Sequence, residues 1–169
     1  MIQYADIVYD TIVDGIGLRN TLYVCGCPHN CEGCHNKALQ DYNYGIREFP
    51  DMVAERLERA NDNDLTISGG EPFEQSSILV EMIKNLTKKL DYHIWVYSGY
   101  TFEQIIADPV KKSLLELCEV LVDGKFEIDK LDITLKFRGS SNQRVIDVQK
   151  SLKENKVIIL GGFEKDHEK

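Results

Sequence analysis

Short runs of β-branched and aromatic residues alternate with segments of helical spacing along most of this chain, and that alternation restricts the fold more than any other feature. The first clear strand is Asn20-Thr21-Leu22-Tyr23-Val24-Cys25, which stops at Gly26. Residues 49–60 follow with apolar side chains at Met52, Val53, Leu57 and Ala60, a helical spacing, and with Pro50 in the first turn. Leu65-Thr66-Ile67-Ser68 is a second strand, ending at Gly69-Gly70. A long amphipathic helix capped by Ser76 or Ser77 is expected to reach Leu90, with Ile78, Leu79, Met82, Ile83 and Leu86 on one side. His93-Ile94-Trp95-Val96-Tyr97 is the third strand, and helical spacing resumes over 101–106 and 110–117 with Pro109 breaking it. Val120-Leu121-Val122 is a buried strand. Residues 133–137 are expected as a fifth strand, 145–152 as a helix and 157–160 as a last short strand.

Repeated β-then-α units imply parallel strands, because parallel neighbours need a crossover and that crossover is nearly always right-handed. Five or six strands fall short of a closed eight-stranded barrel, which takes about 250 residues. The expected class is therefore α/β, an open partial (β/α) barrel of about five or six mostly parallel strands. With 169 residues, 43% of them hydrophobic, and no repeat or Pro/Ser-rich linker, one domain is expected over 1–163. The charged end 164–169 is expected to be disordered. Ligands of such sheets gather beyond the carboxyl ends of the strands. The chemically unusual segments of this chain follow strand ends.

Twenty basic against 28 acidic side chains leave a formal net charge of −8, the wrong field for a phosphate backbone, so no nucleic-acid partner is expected. No apolar run approaches the ~20 residues that span a bilayer, and Met1-Ile2-Gln3-Tyr4-Ala5-Asp6 lacks a basic segment leading into an apolar one. A cytoplasmic protein without membrane attachment is the expectation.

Four of the five cysteines, Cys25, Cys27, Cys31 and Cys34, lie within ten residues, and Cys118 lies far away. Clustered thiols of odd total number fit ligation better than a disulfide framework. Cys27, Cys31 and Cys34, spaced by three and then two residues, are able to hold three corners of a cubic iron–sulfur cluster and leave one iron without a protein ligand. The rival is a structural zinc site that takes Cys25 as the fourth thiol. Against it, Cys25 and Cys27 are one residue apart at a strand end, so their side chains point to opposite faces. Cys25 and Cys118 then read as core residues. His29 and His35 are either ligands or locally bonded loop residues.

Cys-x3-Cys-x2-Cys after one strand and Ser68-Gly69-Gly70-Glu71-Pro72 after the next resemble the radical S-adenosyl-L-methionine (SAM) superfamily. Asp14-Gly15-Ile16-Gly17-Leu18-Arg19 and Gly26 through Asn36 narrow the resemblance to the activating enzymes of glycyl-radical proteins. Val122-Asp123-Gly124-Lys125-Phe126 and Phe137-Arg138-Gly139-Ser140-Ser141-Asn142-Gln143-Arg144 resemble the activating proteins of anaerobic ribonucleoside-triphosphate reductases. The resemblance implies a radical SAM fold and a radical SAM oxidoreductase. It implies a [4Fe–4S] cluster on Cys27, Cys31 and Cys34, with SAM on the open iron. A small electron donor such as flavodoxin would reduce the cluster, SAM would be cleaved, and a hydrogen atom would be taken from a glycine of the reductase. The alternatives are an activase of another glycyl-radical enzyme, such as pyruvate formate-lyase, or a non-catalytic zinc module.

Residues placed to meet SAM follow from the same segments. Gly69 and Gly70 allow backbone groups to approach its amino end, and Glu71 offers a carboxylate for that cation. Ser98 and Asp123 are candidates for its hydroxyl and amine groups, with helix capping or turn formation as the plain alternative. Arg138 is a candidate for its carboxylate, and Asn142 and Gln143 for ribose or adenine, with a solvated loop as the rival. Relatives often stack an aromatic residue before the last cysteine on the adenine. This chain has Gly33 there, which leaves His35 as the candidate.

Overall fold

The computed structural model of the chain describes residues 1–87 and 91–163, so Leu90 and the tail 164–169 lie outside the described residues. Seven strands form one sheet: β1 (Ile2–Thr11), β2 (Arg19–Val24), β3 (Ile46–Glu48), β4 (Asp64–Gly69), β5 (Ile94–Tyr97), β6 (Val120–Asp123) and β7 (Arg144–Asp147), in the order β3-β1-β2-β4-β5-β6-β7. The helices are α1 (Pro50–Ala60), α2 (Ser76–Asn85), α3 (Phe102–Ile106), α4 (Pro109–Leu115) and α5 (Val148–Glu154). The four central strands β2, β4, β5 and β6 are parallel, as the βα alternation requires. Both flanks are antiparallel, with β1 on β2, β3 on β1 and β7 on β6. The architecture is thus a mixed α/β sheet of seven strands rather than the five or six expected.

The period-2 pleat divides the strand residues between two faces. Leu22, Val24, Leu65, Ile67, Ile94, Val96, Leu121 and Ile146 pack with Val53 and Leu57 of α1, Leu79 and Met82 of α2, Ile105 of α3 and Leu114 of α4 in the main core. The alternate positions face a trough that α1 to α4 leave uncovered. Toward β5, β6 and β7 it is apolar, and Trp95, Val120, Val122 and Val145 are closed over by Phe137, Leu160 and Phe163. Toward β2 and β4 it is polar, with Arg19, Thr21 and Thr66 all buried. Both Cys25 and Cys118 are buried, as expected of core thiols. Among the described residues no helix is long and apolar enough to cross a membrane.

Several local expectations need correction. Residues 133–137 are turns, because the Asp132 carboxylate accepts from Thr134 N (2.9 Å) and Oγ1 (2.6 Å) and so wins over the strand propensity of Ile133, which is 90% exposed. The expected helix 145–152 begins only at Val148. Arg144 to Asp147 extend along β6, and the Asp147 side chain accepts from Lys150 N (3.1 Å) to start α5. Residues 157–160 make only a bridge, Ile159 to Ile146. Ser76 does not cap α2. Its hydroxyl donates to Phe73 O (2.7 Å), closing the 3₁₀ turn Pro72–Gln75 that precedes the helix.

Thr101 does cap α3. Its hydroxyl accepts from Gln104 N (3.3 Å), and Gln104 Oε1 accepts in return from Thr101 N (2.9 Å). A five-residue helix has little stability of its own. Thr101→Ala is expected to cost about 1 kcal/mol and to lower Tm by about 2–4 °C in thermal unfolding of the apoprotein.

Candidate metal centre

The loop after β2 is fastened at its base by backbone hydrogen bonds. Gly26 turns the chain at φ +89°, a left-handed conformation that a side chain disfavours. Gly26 N–H then donates to Leu39 O (2.8 Å) and Cys27 N–H to Gln40 O (3.1 Å). From below, Gly70 N–H donates to Val24 O (2.7 Å) and Glu71 N–H to Gly26 O (2.8 Å). A Cβ on Gly70 would lie 2.5 Å from Gly26 O and 2.7 Å from Leu39 O. The two glycines therefore serve first to let two backbones touch, so that the Gly-Gly turn lies directly against the root of the cysteine loop.

Cys27, Cys31 and Cys34 are half-buried, unpaired, and line one cleft of ≈ 250 Å³ that opens to solvent at the carboxyl ends of the parallel strands. Cys25 is 2% exposed and absent from that lining. Three thiols at one cleft, with the fourth turned into the core, fit a cubane that keeps one iron open, and do not fit a closed four-thiol zinc site. Burial pushes the Cys27 thiol up to about 11 and raises Cys31 too, the latter opposed by the Phe126 backbone N–H. Burial thus favours the neutral thiol at Cys27 and Cys31, and metal binding there must release those protons.

The remaining lining comes from the neighbouring strand ends. Ser68 and Gly69 end β4 and Gly70 follows it, Tyr97 ends β5 with Ser98 and Gly99 after it, and Gly124 and Phe126 follow β6. Of the residues singled out in the sequence, Gly69, Gly70, Ser98, His29, His35 and Gln143 line this cleft beside the three cysteines. Gln143 Oε1 accepts from Gly139 N (2.9 Å) and its Nε2 donates to Gly124 O (3.0 Å), which fixes its side chain across the opening.

Glu71, Asp123, Arg138 and Asn142 are not among the cleft's lining. The Glu71 carboxylate, 0% exposed, is engaged within the protein. Asp123, 1% exposed, accepts from Phe102 N (2.7 Å) and from Arg144 Nε (2.9 Å), so it anchors α3 and β7. Arg138 lies over the Phe163 ring (5.9 Å to the centroid) and lines an adjoining hollow with Val13. Asn142 Nδ2 donates to Lys125 O (2.8 Å) and lines a second hollow with Asp123 and Arg144. The sequence reading passed over Asp14, Tyr97 and Phe126 as lining residues. Asp14 accepts from Tyr23 Oη (2.6 Å) and Thr21 Oγ1 (3.1 Å), and its place in the quoted Asp14-Gly15 motif was the available signal. Phe126 packs edge-on to His35 (5.9 Å), and its ring lies 3.3 Å from where a Cβ on Gly33 would stand. A ring from a distant loop thus occupies the space beside Gly33.

The sequence model of the family described as 4Fe-4S single cluster domain matches residues 13–146. An anaerobic ribonucleoside-triphosphate reductase-activating protein of Pasteurella multocida (strain Pm70) is 38% identical over 140 residues, 78% of this chain and 89% of that protein. One of Vibrio cholerae serotype O1 (strain ATCC 39315 / El Tor Inaba N16961) is 37% identical over 142 residues, 78% of this chain and 89% of that protein. This chain belongs to that family of activating proteins. The family extends to Enterobacteria phage T4, whose activating protein is 35% identical over 141 residues, 79% of this chain and 86% of its own. Every cleft-lining residue of this activating-protein chain, from Asp14 to Gln143, falls inside the matched stretch 13–146.

One ion pair beside the cleft carries a pH signature. Arg144 Nη2 lies 2.8 Å from Glu103 Oε2 and holds the Glu103 carboxyl down at about 2. A depressed carboxyl pKa contributes stability that is complete above its unfolded value near 4.5 and is lost as pH falls toward 2. The Tm gap between the native chain and Glu103→Gln is expected to be present at pH 6 and to close between pH 4.5 and 2, a small gap because Glu103 is 57% exposed.

Proposed function

We propose that this chain is a radical SAM activase that installs the glycyl radical of an anaerobic ribonucleoside-triphosphate reductase. The observation that carries the reading is the meeting of three half-buried thiols and the Gly69-Gly70 turn on one cleft, with Cys25 turned away. Cys27, Cys31 and Cys34 would hold the cluster, which when bound would supply the one electron needed for reductive cleavage of SAM and hence the radical chemistry directed at the reductase glycine. The chain's own residues have the task of binding and orienting. The Gly69 and Gly70 backbone supports contact with the amino end of SAM, with Ser98 close by. The His35 and Phe126 rings and the Gln143 amide are placed to flank the nucleoside. Arg138, Asn142 and Asp123 border the site from the adjoining hollows. No general acid or base is needed for that step.

The parallel central strands with a cleft at their carboxyl ends support the finer fold reading, an open partial barrel of radical SAM type, and the opening of that cleft to solvent leaves access for a macromolecular substrate. We further read residues 1–163 as one domain, the donor as a small flavodoxin-like protein and the location as cytoplasmic. The deciding experiment is anaerobic incubation of the reconstituted protein with SAM, a reductant and the reductase. The expected result is 5′-deoxyadenosine together with a glycyl-radical resonance. Cluster-loaded protein that binds SAM yet yields neither product would overturn the proposal.

A further inference from the structure

Between Cys27 and Cys34 the loop has few ties to the rest of the protein. The Phe126 backbone N–H faces the Cys31 thiol, and the tie that reaches the buried interior is the hydrogen bond from His29 Nε2 to Glu71 Oε2 at 2.8 Å. Both groups are secluded, the His29 side chain 6% exposed and that of Glu71 0%. The imidazole lies edge-on to Tyr100, with 4.5 Å between centroids, and passes so close to Gly99 that a Cβ there would lie 2.3 Å from His29 Cδ2.

On the Glu71 side the carboxylate is a hub. Besides His29 it accepts from Phe73 N (3.1 Å), Ser98 Oγ (2.9 Å) and Gly99 N (2.8 Å). Those donors come from the 3₁₀ turn after β4 and from the end of β5. A carboxylate has about four lone-pair sites, and four donors occupy them. It has no capacity left for the ammonium of a ligand, although it sits one residue beyond the Gly-Gly turn.

We infer that Glu71 acts as a positioning residue, holding the cysteine loop through His29 in fixed register with the β4 and β5 ends, and does not contact SAM. The inference rests on the function proposed above and concerns how its two halves are joined. A loop pinned at its tip keeps its three thiols at one spacing, and the same carboxylate fixes Ser98 and Gly99 on the opposite wall. Cluster retention and nucleotide binding therefore share one support.

The test uses the anaerobically loaded protein and the variants His29→Ala, His29→Gln, Glu71→Gln, His29→Ala/Glu71→Gln and Gly99→Ala. Two readouts without turnover are taken: the rate of iron loss to a chelator and the SAM dissociation constant, with apoprotein Tm as a folding control. His29→Ala and Glu71→Gln are each expected to speed iron loss by about 10-fold or more, with the double variant no worse than the poorer single one. His29→Gln, which keeps an N–H donor, should recover part of the loss. Gly99→Ala, which displaces the ring and keeps both partners, should reproduce it. SAM binding should weaken equally in His29→Ala and Glu71→Gln. Weakening by Glu71→Gln alone, with His29→Ala indistinguishable from the native chain in both readouts, would overturn the inference and assign Glu71 to the ligand. A native chain that retains no cluster or binds no SAM would instead sink the proposed function.

Discussion

Cys31→Ala is expected to abolish stable cluster binding and to bring 5′-deoxyadenosine formation down to background, whereas Cys25→Ala keeps iron and sulfide content at the native level. The contrast follows from placement. Cys31 lines the cleft with Cys27 and Cys34, and Cys25 lies two residues before Cys27 yet faces the core. With two cysteines remaining, a second iron of the cubane is left without a protein ligand and the cluster falls apart during anaerobic gel filtration. Iron and acid-labile sulfide per chain, measured beside SAM cleavage, decide the matter. Equal loss of iron in Cys25→Ala would revive the four-thiol zinc-like arrangement, and native iron content in Cys31→Ala would remove the cluster from this loop.

Arg19→Met is expected to be the most damaging single change to the fold. Arg19 is 0% exposed, and its guanidinium donates to Thr66 Oγ1 (2.7 Å), Leu65 O (2.6 Å), Ile16 O (3.1 Å) and His93 O beneath the Trp95 ring. Desolvation lowers its pKa, and Asp64 at 4.0 Å opposes that shift. Methionine fills much of the volume but strands several acceptors, and breaking such a buried network costs about 3–5 kcal/mol. At about 2–4 °C per kcal/mol, Tm should fall by about 6–20 °C. Apoprotein melting followed by circular dichroism is sufficient. A Tm within 2 °C of the native value would mean that the network adds nothing net to stability.

The parts legible in the sequence were those with one dominant local signal. The central parallel strands are short apolar runs bounded by glycine, and α1 and α2 have clear helical spacing with Pro50 at the start. The flanking strands were not legible. β1 mixes buried Ile2 and Tyr4 with exposed Asp6 and Val8, and β3 has only three residues. β7 runs straight into α5, so Val145 and Ile146 merged with the apolar spacing of the helix that follows. At the site, the three cysteines and the Gly-Gly turn were visible because each is contiguous. The engagement of Glu71 and Asp123 was hidden because their partners His29, Ser98 and Arg144 lie 42, 27 and 21 positions away. Spacing along a chain reveals what a loop is able to ligate, but says little about which carboxylates are already occupied.

The helical layer on a single side of the sheet has a consequence for the timing of the proposed chemistry. The cysteine cleft opens to solvent beside that uncovered face, so a radical formed there in isolation meets oxygen and is quenched before it travels. Only a docked macromolecule of sufficient breadth seals the rim, so the reductant should be spent productively when the lid and the target arrive as the same object.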